Sequence, residues 1–401
     1  MAAAATCTGP VRIAVIGAGI AGSMFVHSLQ TYVSEGTVSI AVFESGRSPG
    51  GRAATRTTRD NAELQVDHGS PAFVARSAAF VQLCEQMRCL GVLAQGSSGG
   101  YGSINEAGEY LPDGGPEGGG LRYTGGKEGI GGLSKALLRG GILERQALAT
   151  CKFNTMVQSI EPIASSESLA RWRLQSADGF LGDFEWLVVS SNILGHPRWT
   201  YAFGGEPPLA VAAAQLGDPV LQATLIEIAK IRAQPCTVAL LGYMGAAAEA
   251  WASLPFSRAR VESDAALRRI VIQRIHRTLT TVVLHSTTSF AESTSQAGVA
   301  ANDPSQESKI LQTLVDAMRA RLVPKWLAPD HVLPGWGPYL HRWASAFPNA
   351  PLLEPEMASA IDARVVFCGD FIAGPYPESI EGAALSGQEA AAVIEQQLKQ
   401  S

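Results

Sequence analysis

Few folds can accommodate the stretch Val11–Glu44, VRIAVIGAGIAGSMFVHSLQTYVSEGTVSIAVFE. It opens on a short β-branched apolar run and passes through Gly17-x-Gly19-x-x-Gly22. Met24, Phe25, Ser28 and Leu29 then follow at the 3.6-residue period of a helix. A second apolar run, Val38–Phe43, ends on Glu44. Strand, glycine turn, helix and strand within so few residues make a βαβ unit, with its strands parallel. Gly17 permits the tight turn, Gly19 lets a diphosphate approach the backbone, and Gly22 lets helix pack close on strand. Ile20 and Ala21 begin the helix, whose free N–H groups and macrodipole favour an anion. Glu44 lies 22 residues beyond Gly22, where a carboxylate accepts hydrogen bonds from a ribose diol. The pattern predicts a dinucleotide site in preference to a purely structural βαβ unit.

Directly after Glu44 comes Ser45-Gly46-Arg47-Ser48-Pro49-Gly50-Gly51-Arg52. A second glycine pair followed by Arg brings another backbone loop and a cation towards the same diphosphate. That suits a deeply held FAD better than a nicotinamide dinucleotide that must come and go. FAD has a second half, and the other end of the chain offers contacts for it in VVFCGDFIAGPYPESIEGAALSGQEAA. Gly369 and Asp370 end a strand there, and ligands in open α/β sheets sit outside the carboxyl ends of strands. Asp370 is thus placed to accept a hydrogen bond from a ribityl hydroxyl. The helix opening near Ile380 aims its amides at the flavin N1–C2=O region, where charge collects on reduction. Gly382, Ala383 and Ala384 are read as small because the ring lies against them. Glu381 is read either as part of the first-turn cap or as a surface residue.

The rest of the composition narrows the class. A net charge of -5 gives no electrostatic basis for binding nucleic acid or an anionic membrane, so neither is expected. Arg258, Arg260, Arg268, Arg269, Arg274 and Arg277 read as a solvated basic face. No stretch reaches the ~18 consecutive apolar residues of a membrane span. The six cysteines are scattered without a C-x-x-C pair, which fits a reduced intracellular protein and no metal site. MAAAATCTGP lacks the charged n-region of a secretory signal. The cytoplasm is therefore expected, with an organelle such as the plastid as the alternative if a transit peptide is short or removed.

Taken together, GAGIAG, ESGRSPGGRAATR, VDHGSPAFVARSAAF (Val66–Phe80), HRWASAFP (His341–Pro348) and GDFIAGPYPESIEGAALSG resemble the FAD-dependent amine-oxidase-like superfamily. Within it the chain is similar to the renalase-like oxidoreductases, most particularly at Asp67-His68-Gly69 and His341-Arg342-Trp343. The family's usual continuations differ here: Ser70-Pro71-Ala72 replaces Ala-Gln-Tyr, and Ala344-Ser345 replaces a basic residue and Tyr. The resemblance places His68 and Gly69 beside the flavin and Val157 beside the adenine. It also implies noncovalent FAD, because Gly374-Pro375-Tyr376-Pro377 stands where monoamine oxidases carry an attaching Cys.

The expected fold class is α/β: an FAD-binding Rossmann-type domain with a parallel sheet and an inserted β-meander, plus a second α+β substrate domain with a mixed sheet. The first is expected to be discontinuous, over 11–75, 125–200 and 350–401; the second covers 76–124 and 201–349. Helices are predicted over Ala78–Leu90, Leu221–Ile231 and Ser305–Leu322, and near Gly131–Leu138. Strands are predicted over Phe153–Ile163, Ser168–Ser176, Phe184–Ser190, Cys236–Gly242, Arg269–Ile275 and Leu279–Ser286, with a turn at Asp178-Gly179. Tyr101–Tyr110 reads as a hairpin in the Gly-rich segment 96–132, and the remainder of that segment as a mobile loop or a disordered insertion.

Flavin carries the redox step, so the protein need only orient the substrate, tune the ring and exclude water. His68, Tyr243, His285, His341 and Trp343 are the candidates near the ring. Each also has a structural reading: His68 bonded to backbone, His341 and Trp343 packed at the domain junction, Tyr243 and His285 in the core. The resemblance implies an oxidase taking hydride from a reduced nicotinamide nucleotide, or an isomer of it, to the flavin and then to oxygen. NAD(P)H would then be the small-molecule substrate and oxygen the acceptor. The alternatives are an amine oxidase or desaturase acting on a small hydrophobic metabolite, and a non-catalytic FAD-binding sensor or interaction protein.

Overall fold

The computed structural model describes residues 9–58, 64–96, 100–114, 120–140, 147–163, 171–295 and 303–400. The chain divides into two compact units: Met1–Gly51, Gly131–Arg232 and Pro348–Ser401 in the first, and Arg52–Ile130 with Ala233–Phe347 in the second.

The first unit is built on a six-stranded sheet in the order Thr150–Lys152, Val38–Phe43, Val11–Ile16, Trp186–Val189, Val365–Phe367, Ser359–Ala360. All neighbours are parallel except the last pair. Alternate residues of the central strands enter two separate cores, as period-2 side-chain direction requires. Ile13, Val15, Val188 and Val366 pack with Phe25, Val26 and Ile394 from the first helix (Ile20–Ser28) and the final helix (Ile380–Gln400). Ala14, Ile16, Leu187, Val189, Val365 and Phe367 face Trp172, Leu174, Leu209 and Leu225 on the other side. A three-stranded antiparallel meander, Ser159–Pro162, Trp172–Ser176 and Gly179–Phe184, is inserted here, with the expected turn at Asp178-Gly179.

The sequence-based strands before and after that turn need correction. Residues 153–158 form a loop between Thr150–Lys152 and Ser159–Pro162, and 184–190 belongs to two strands, Gly179–Phe184 and Trp186–Val189. The predicted start of the middle strand, Ser168–Ala170, lies outside the described residues.

The second unit is built on a seven-stranded mixed sheet in the order Trp336–Asn349, Arg232–Met244, Leu279–Ser286, Leu267–His276, Phe256–Val261, Gly100–Ile104, Tyr110–Pro112. One face carries Ala239, Leu241, Tyr243, Ile270, Ile272, Val282 and Leu284. It is covered by the helices Gly245–Ala252 and Pro304–Leu322 through Trp251, Leu314 and Met318. The opposite face carries Val238, Leu240, Val271 and Val283, against which Leu64, Val66, Trp336 and Trp343 pack. A hairpin, Thr55–Thr57 with Gln65–Asp67, is fixed on this second face: the Gln273 amide accepts from Asp67 N–H at 2.9 Å and donates to Asp67 C=O at 2.8 Å. That clamp is why residues 52–75 join this unit rather than the nucleotide-binding segments to which the sequence assigned them. Residues 201–232 move the other way, their helices Pro208–Leu216 and Pro219–Lys230 entering the first unit's core.

The Gly-rich segment is more ordered than its composition predicts. Gly100–Ile104 and Tyr110–Pro112 form the expected hairpin, and Leu121–Gly125 is the middle strand of a small sheet with Ala72–Ala75 and Leu93–Gln95. The parts of that segment at 97–99 and 115–119 lie outside the described residues. Among the described residues, no helix is long and apolar enough to cross a membrane. The described cysteines, Cys84, Cys89, Cys151, Cys236 and Cys368, are free thiols.

Candidate active site

Parallel pairing aligns Ile16 with Val189 and Val189 with Phe367, so three strands end at one level. Gly17, Ser190 and Gly369-Asp370 follow from those ends, with neighbouring strands about 4.8 Å apart. Asp370 therefore emerges two strands from the glycine turn, within the same unit. Ser190 joins the two loops: its hydroxyl donates towards Ile16 C=O at 3.0 Å and Gly17 C=O at 2.9 Å, and a Cβ on Gly17 would collide with it. Gly369 N–H donates to Ser386 Oγ in the final helix at 2.8 Å. Sequence motifs did not single out Ser190, which lies in none of them, and Ser386, inside the C-terminal motif, was given no role of its own.

The three glycines of the turn have separate physical reasons. Gly17 has φ +106, which a side chain would strain. A Cβ on Gly22 would strike the Gly17 carbonyl oxygen and lie 3.1 Å from Val15 Cγ1. A Cβ on Gly19 would meet nothing within 4 Å. Gly19 caps the first helix with no side-chain bond to its first-turn amides, and the helix itself gives the N–H groups of Ile20 and Ala21 no partner. Gly50 N–H donates to Ala18 C=O at 2.8 Å, bringing the second glycine loop alongside, and a Cβ on Gly51 (φ +54) would lie 3.4 Å from Gly19 Cα. Glu44 ties the loops together, accepting from Ala18 N–H at 2.8 Å, Gly46 N–H at 2.6 Å and the exposed Ser45 hydroxyl at 3.4 Å. A carboxylate has about four acceptor sites, so capacity for ribose hydroxyls remains.

Two sequence readings change at the final helix. Gly382 is small because a Cβ there would strike the Tyr376 carbonyl oxygen, and Ala383 and Ala384 pack within the unit. Ser379 caps this helix, its hydroxyl accepting from Gly382 N–H at 2.9 Å. Glu381 is 0% exposed, which overturns its surface reading. Val157 is buried among Ile16, Phe43 and Trp172. Gly387, the last residue of the C-terminal motif, lets the final helix meet the backbone of Ala21 in the first.

In the second unit, Arg52 Nη1 donates to Ala346 C=O at 3.0 Å, and a Cβ on Gly69 would strike Arg52 C=O. The hairpin delivers His68 to two residues of the strand Trp336–Asn349. Its imidazole stacks on Trp343 (5.2 Å, 17°) and meets His341 edge-on (4.6 Å, 84°), while His341 and Trp343 lie 4.3 Å apart. His68 Nδ1, His341 Nε2 and Trp343 Nε1 are buried without a hydrogen-bond partner among the described residues. Burial, helped by the positive charge of Arg56, pushes His341 down to about 4; burial and the neighbouring His341 do the same to His68. His285, on the same face, is pushed down to about 3 by burial and by Arg269 and Arg258. Tyr243 is separated from this group. It faces the helix-covered side, stacked on Trp251 at 4.9 Å, as a core residue.

These values give a pH dependence. His285 ionises near 3 folded and about 6.5 unfolded, so the unfolded chain takes up the proton first. Its stability contribution is complete above pH 6.5 and is lost as pH falls towards 3. At pH 5 the loss is about 2 kcal/mol. We expect His285→Gln to shrink the fall in unfolding free energy between pH 7.5 and pH 5 by that amount in denaturant titrations; an unchanged fall would show His285 to be solvated.

The residues fit an FAD. The first unit presents open space at Gly19 before a helix N-terminus without a side-chain cap, an acidic clamp at Glu44 and a buried carboxylate, Asp370, at the ends of parallel strands of one sheet. Comparison with known proteins points the same way. Residues 15–87 match the family model described as NAD(P)-binding Rossmann-like domain, and residues 208–395 that described as flavin containing amine oxidoreductase. No curated protein sequence matches the chain. Among solved structures it is similar to the cyclohexylamine oxidase of Brevibacterium oxydans IH-35A (TM-score 0.62, 15% identity, 97% of this chain and 100% of that one). It is also similar to wild-type putrescine oxidase bound to putrescine (0.58, 13%, 96% and 100%). A third is a protein of Exiguobacterium sp. 255-15 provisionally described as a protoporphyrinogen oxidase (0.62, 10%, 96% and 99%). At these identities the likeness to the solved structures is one of fold. With the two matched segments lying on that fold, the chain is an FAD-dependent oxidoreductase in which residues 15–87 match a Rossmann-like dinucleotide-binding domain and residues 208–395 a flavin-containing amine oxidoreductase.

Proposed function

We propose that this protein is a renalase-like oxidase that removes two electrons from a reduced nicotinamide nucleotide, or an isomer of it, and passes them to oxygen. Overall, NAD(P)H, O2 and a proton would give NAD(P)+ and hydrogen peroxide. FAD, when bound, supplies the two-electron chemistry. Gly17–Gly22 and Gly50-Gly51 would hold its diphosphate, Glu44 a ribose and Asp370 the ribityl chain. Ile380 and Glu381, at the start of the final helix, would lie towards the ring.

The observation that carries the substrate reading is the His68–His341–Trp343 group. Flat rings with unpartnered nitrogens suit a planar substrate that can both stack and form hydrogen bonds, such as a ring bearing a carboxamide. Both imidazoles are neutral near pH 7, and Arg56 adds positive charge. A protonated alkylamine finds no carboxylate counter-ion in that trio. In this reading His68 and His341 would orient the carboxamide and Trp343 would exclude water from the reacting face.

The test is anaerobic. Holoprotein mixed with NADH, NADPH or their isomers should lose its oxidised flavin absorbance, and air should restore it with one peroxide per donor. His341→Ala should slow bleaching at least tenfold. A second reading, amine oxidation, is favoured by the family description over residues 208–395. It gains if putrescine or cyclohexylamine bleaches the flavin and no nicotinamide nucleotide does.

A further inference from the structure

The basic run at Arg258–Arg277 does not behave as one solvated face. Strand pairing places Arg260 opposite Arg269 and Arg269 opposite His285, while Arg258 lies opposite Tyr101 one pair along. These residues share the face that the helices Gly245–Ala252 and Pro304–Leu322 leave uncovered. Diagonal neighbours on one face lie about 7–8 Å apart, within reach of long side chains. Arg122 joins them from the small sheet, its guanidinium 3.9 Å from the centre of the Tyr101 ring, with that of Arg258 5.4 Å from the same ring.

Three guanidiniums thus converge, and their charge is not locally balanced. Asp113, whose charge also reaches Arg258, is engaged with Arg260 at 3.1 Å, one carboxylate against several guanidiniums. Among the described residues, no carboxylate pairs with Arg122, Arg258 or Arg269. Arg122 Nε and Arg269 Nε are buried without a hydrogen-bond partner. Burial and the neighbouring arginines push Arg269 down to about 9, and burial lowers Arg258 as well. Contact with the Tyr101 ring offsets only part of this, since a cation–π contact satisfies no N–H donor. A purely structural arginine at such depth normally has a carboxylate or carbonyls to donate to.

We infer that Arg122 and Arg258 at the Tyr101 ring, with Arg269 beside Arg258, form a subsite for an oxyanion group of the substrate, a phosphate or a carboxylate. Guanidinium forks match the geometry of either group in paired hydrogen bonds. The substrate is therefore an anion. This deepens the reading above, on which it rests for its place in turnover: a nicotinamide nucleotide carries a diphosphate, and a simple alkylamine carries no such group.

The test has a binding arm that needs no turnover. Holoprotein is titrated calorimetrically at low salt with inorganic pyrophosphate and, separately, with succinate. Wild type should bind at least one. Arg258→Gln and Arg269→Gln should each weaken that binding at least tenfold, with flavin content and melting temperature checking that each variant is folded. Arg122→Gln serves if either fails to fold. Preference for pyrophosphate assigns a phosphate ligand, and preference for succinate a carboxylate. No binding of either by wild type, or equal binding by the variants, overturns the subsite.

A kinetic arm separates this inference from the reading beneath it. With an active donor, the variants should raise KM at least tenfold and leave kcat within about threefold. If no nicotinamide nucleotide is oxidised but arginine-dependent binding persists, the substrate reading fails and the subsite stands. If such a donor is oxidised with unchanged KM in the variants, the subsite fails and the reading stands.

Discussion

Gly22→Ala is expected to purify colourless and to unfold earlier than wild type, whereas Gly19→Ala keeps the apoprotein's melting temperature and loses only the flavin. The difference lies in what each new methyl group would meet. At Gly22 the Cβ strikes the Gly17 carbonyl oxygen, with Val15 Cγ1 3.1 Å and Ser190 Oγ 3.3 Å away. Backbone cannot retreat there without parting strand from helix, and overpacking of this kind costs about 1–3 kcal/mol. At Gly19 the Cβ meets nothing within 4 Å of protein, and the backbone angles suit any residue. On the proposed reading, the space it would fill is the approach of a diphosphate to the amides of Ile20 and Ala21. Flavin retained per protein should fall at least tenfold in both variants, read from the absorbance ratio of visible to ultraviolet bands. A yellow Gly19→Ala protein would remove the diphosphate from this turn.

The second large effect concerns Asp67. Its carboxylate accepts from the Thr55 hydroxyl at 2.6 Å and from Ile130 N–H at 3.1 Å, and burial pushes its pKa up to about 6 in spite of both bonds. Asp67→Leu strands two buried donors, each costing about 1–3 kcal/mol, so a loss of roughly 3 kcal/mol is expected in denaturant titration at pH 5. Asp67→Asn keeps an acceptor and cannot ionise. The sign follows from the raised value: wild-type stability from this group is complete below about 3.8 and is lost as pH rises through 6. Stability of Asp67→Asn relative to wild type should then rise between pH 3.5 and pH 7, by about 3 kcal/mol. A flat difference across that range would mean that Asp67 is hydrated and that its bonds to Thr55 and Ile130 are incidental.

Short-range signals carried most of the nucleotide-binding half. The strand, the glycine turn, the helix and Glu44 are close in sequence, and their chemistry is set by backbone geometry that few residues permit. Asp370 was legible for a related reason: an acidic residue after a buried parallel strand has few places to go. What the sequence hid depends on pairing between distant strands. Arg122 and Arg258 are 136 residues apart; the register of Gly100–Ile104 on Phe256–Val261 sets Arg258 opposite Tyr101, and Arg122 reaches the same ring from the strand Leu121–Gly125 of another sheet. Read along the chain, the arginines alternate with Ala259 and Ile270, which looks like a wet edge; across the sheet they converge. Gly382 was misread in the opposite sense. Its smallness was credited to a ligand, when the chain's own backbone at Tyr376 accounts for it. Glycine-rich composition concealed the strand Leu121–Gly125 because a middle strand can be held by its neighbours' hydrogen bonds rather than by its own propensity.

The nucleotide-binding unit is assembled from three separated segments, and its central sheet seats Val365–Phe367 beside a strand that ends at Val189. Synthesis on the ribosome therefore delivers the glycine turn hundreds of residues before the strand bearing Asp370. Until then the early βαβ piece exposes the apolar face that the last helix is to cover, at Ala21 and Phe25. Closing so long a loop is slow, and partly buried intermediates of that kind invite aggregation or chaperone capture. Cofactor loading is thus expected only once the strand bearing Asp370 has been made, and nascent chains stalled before about residue 370 should emerge flavin-free.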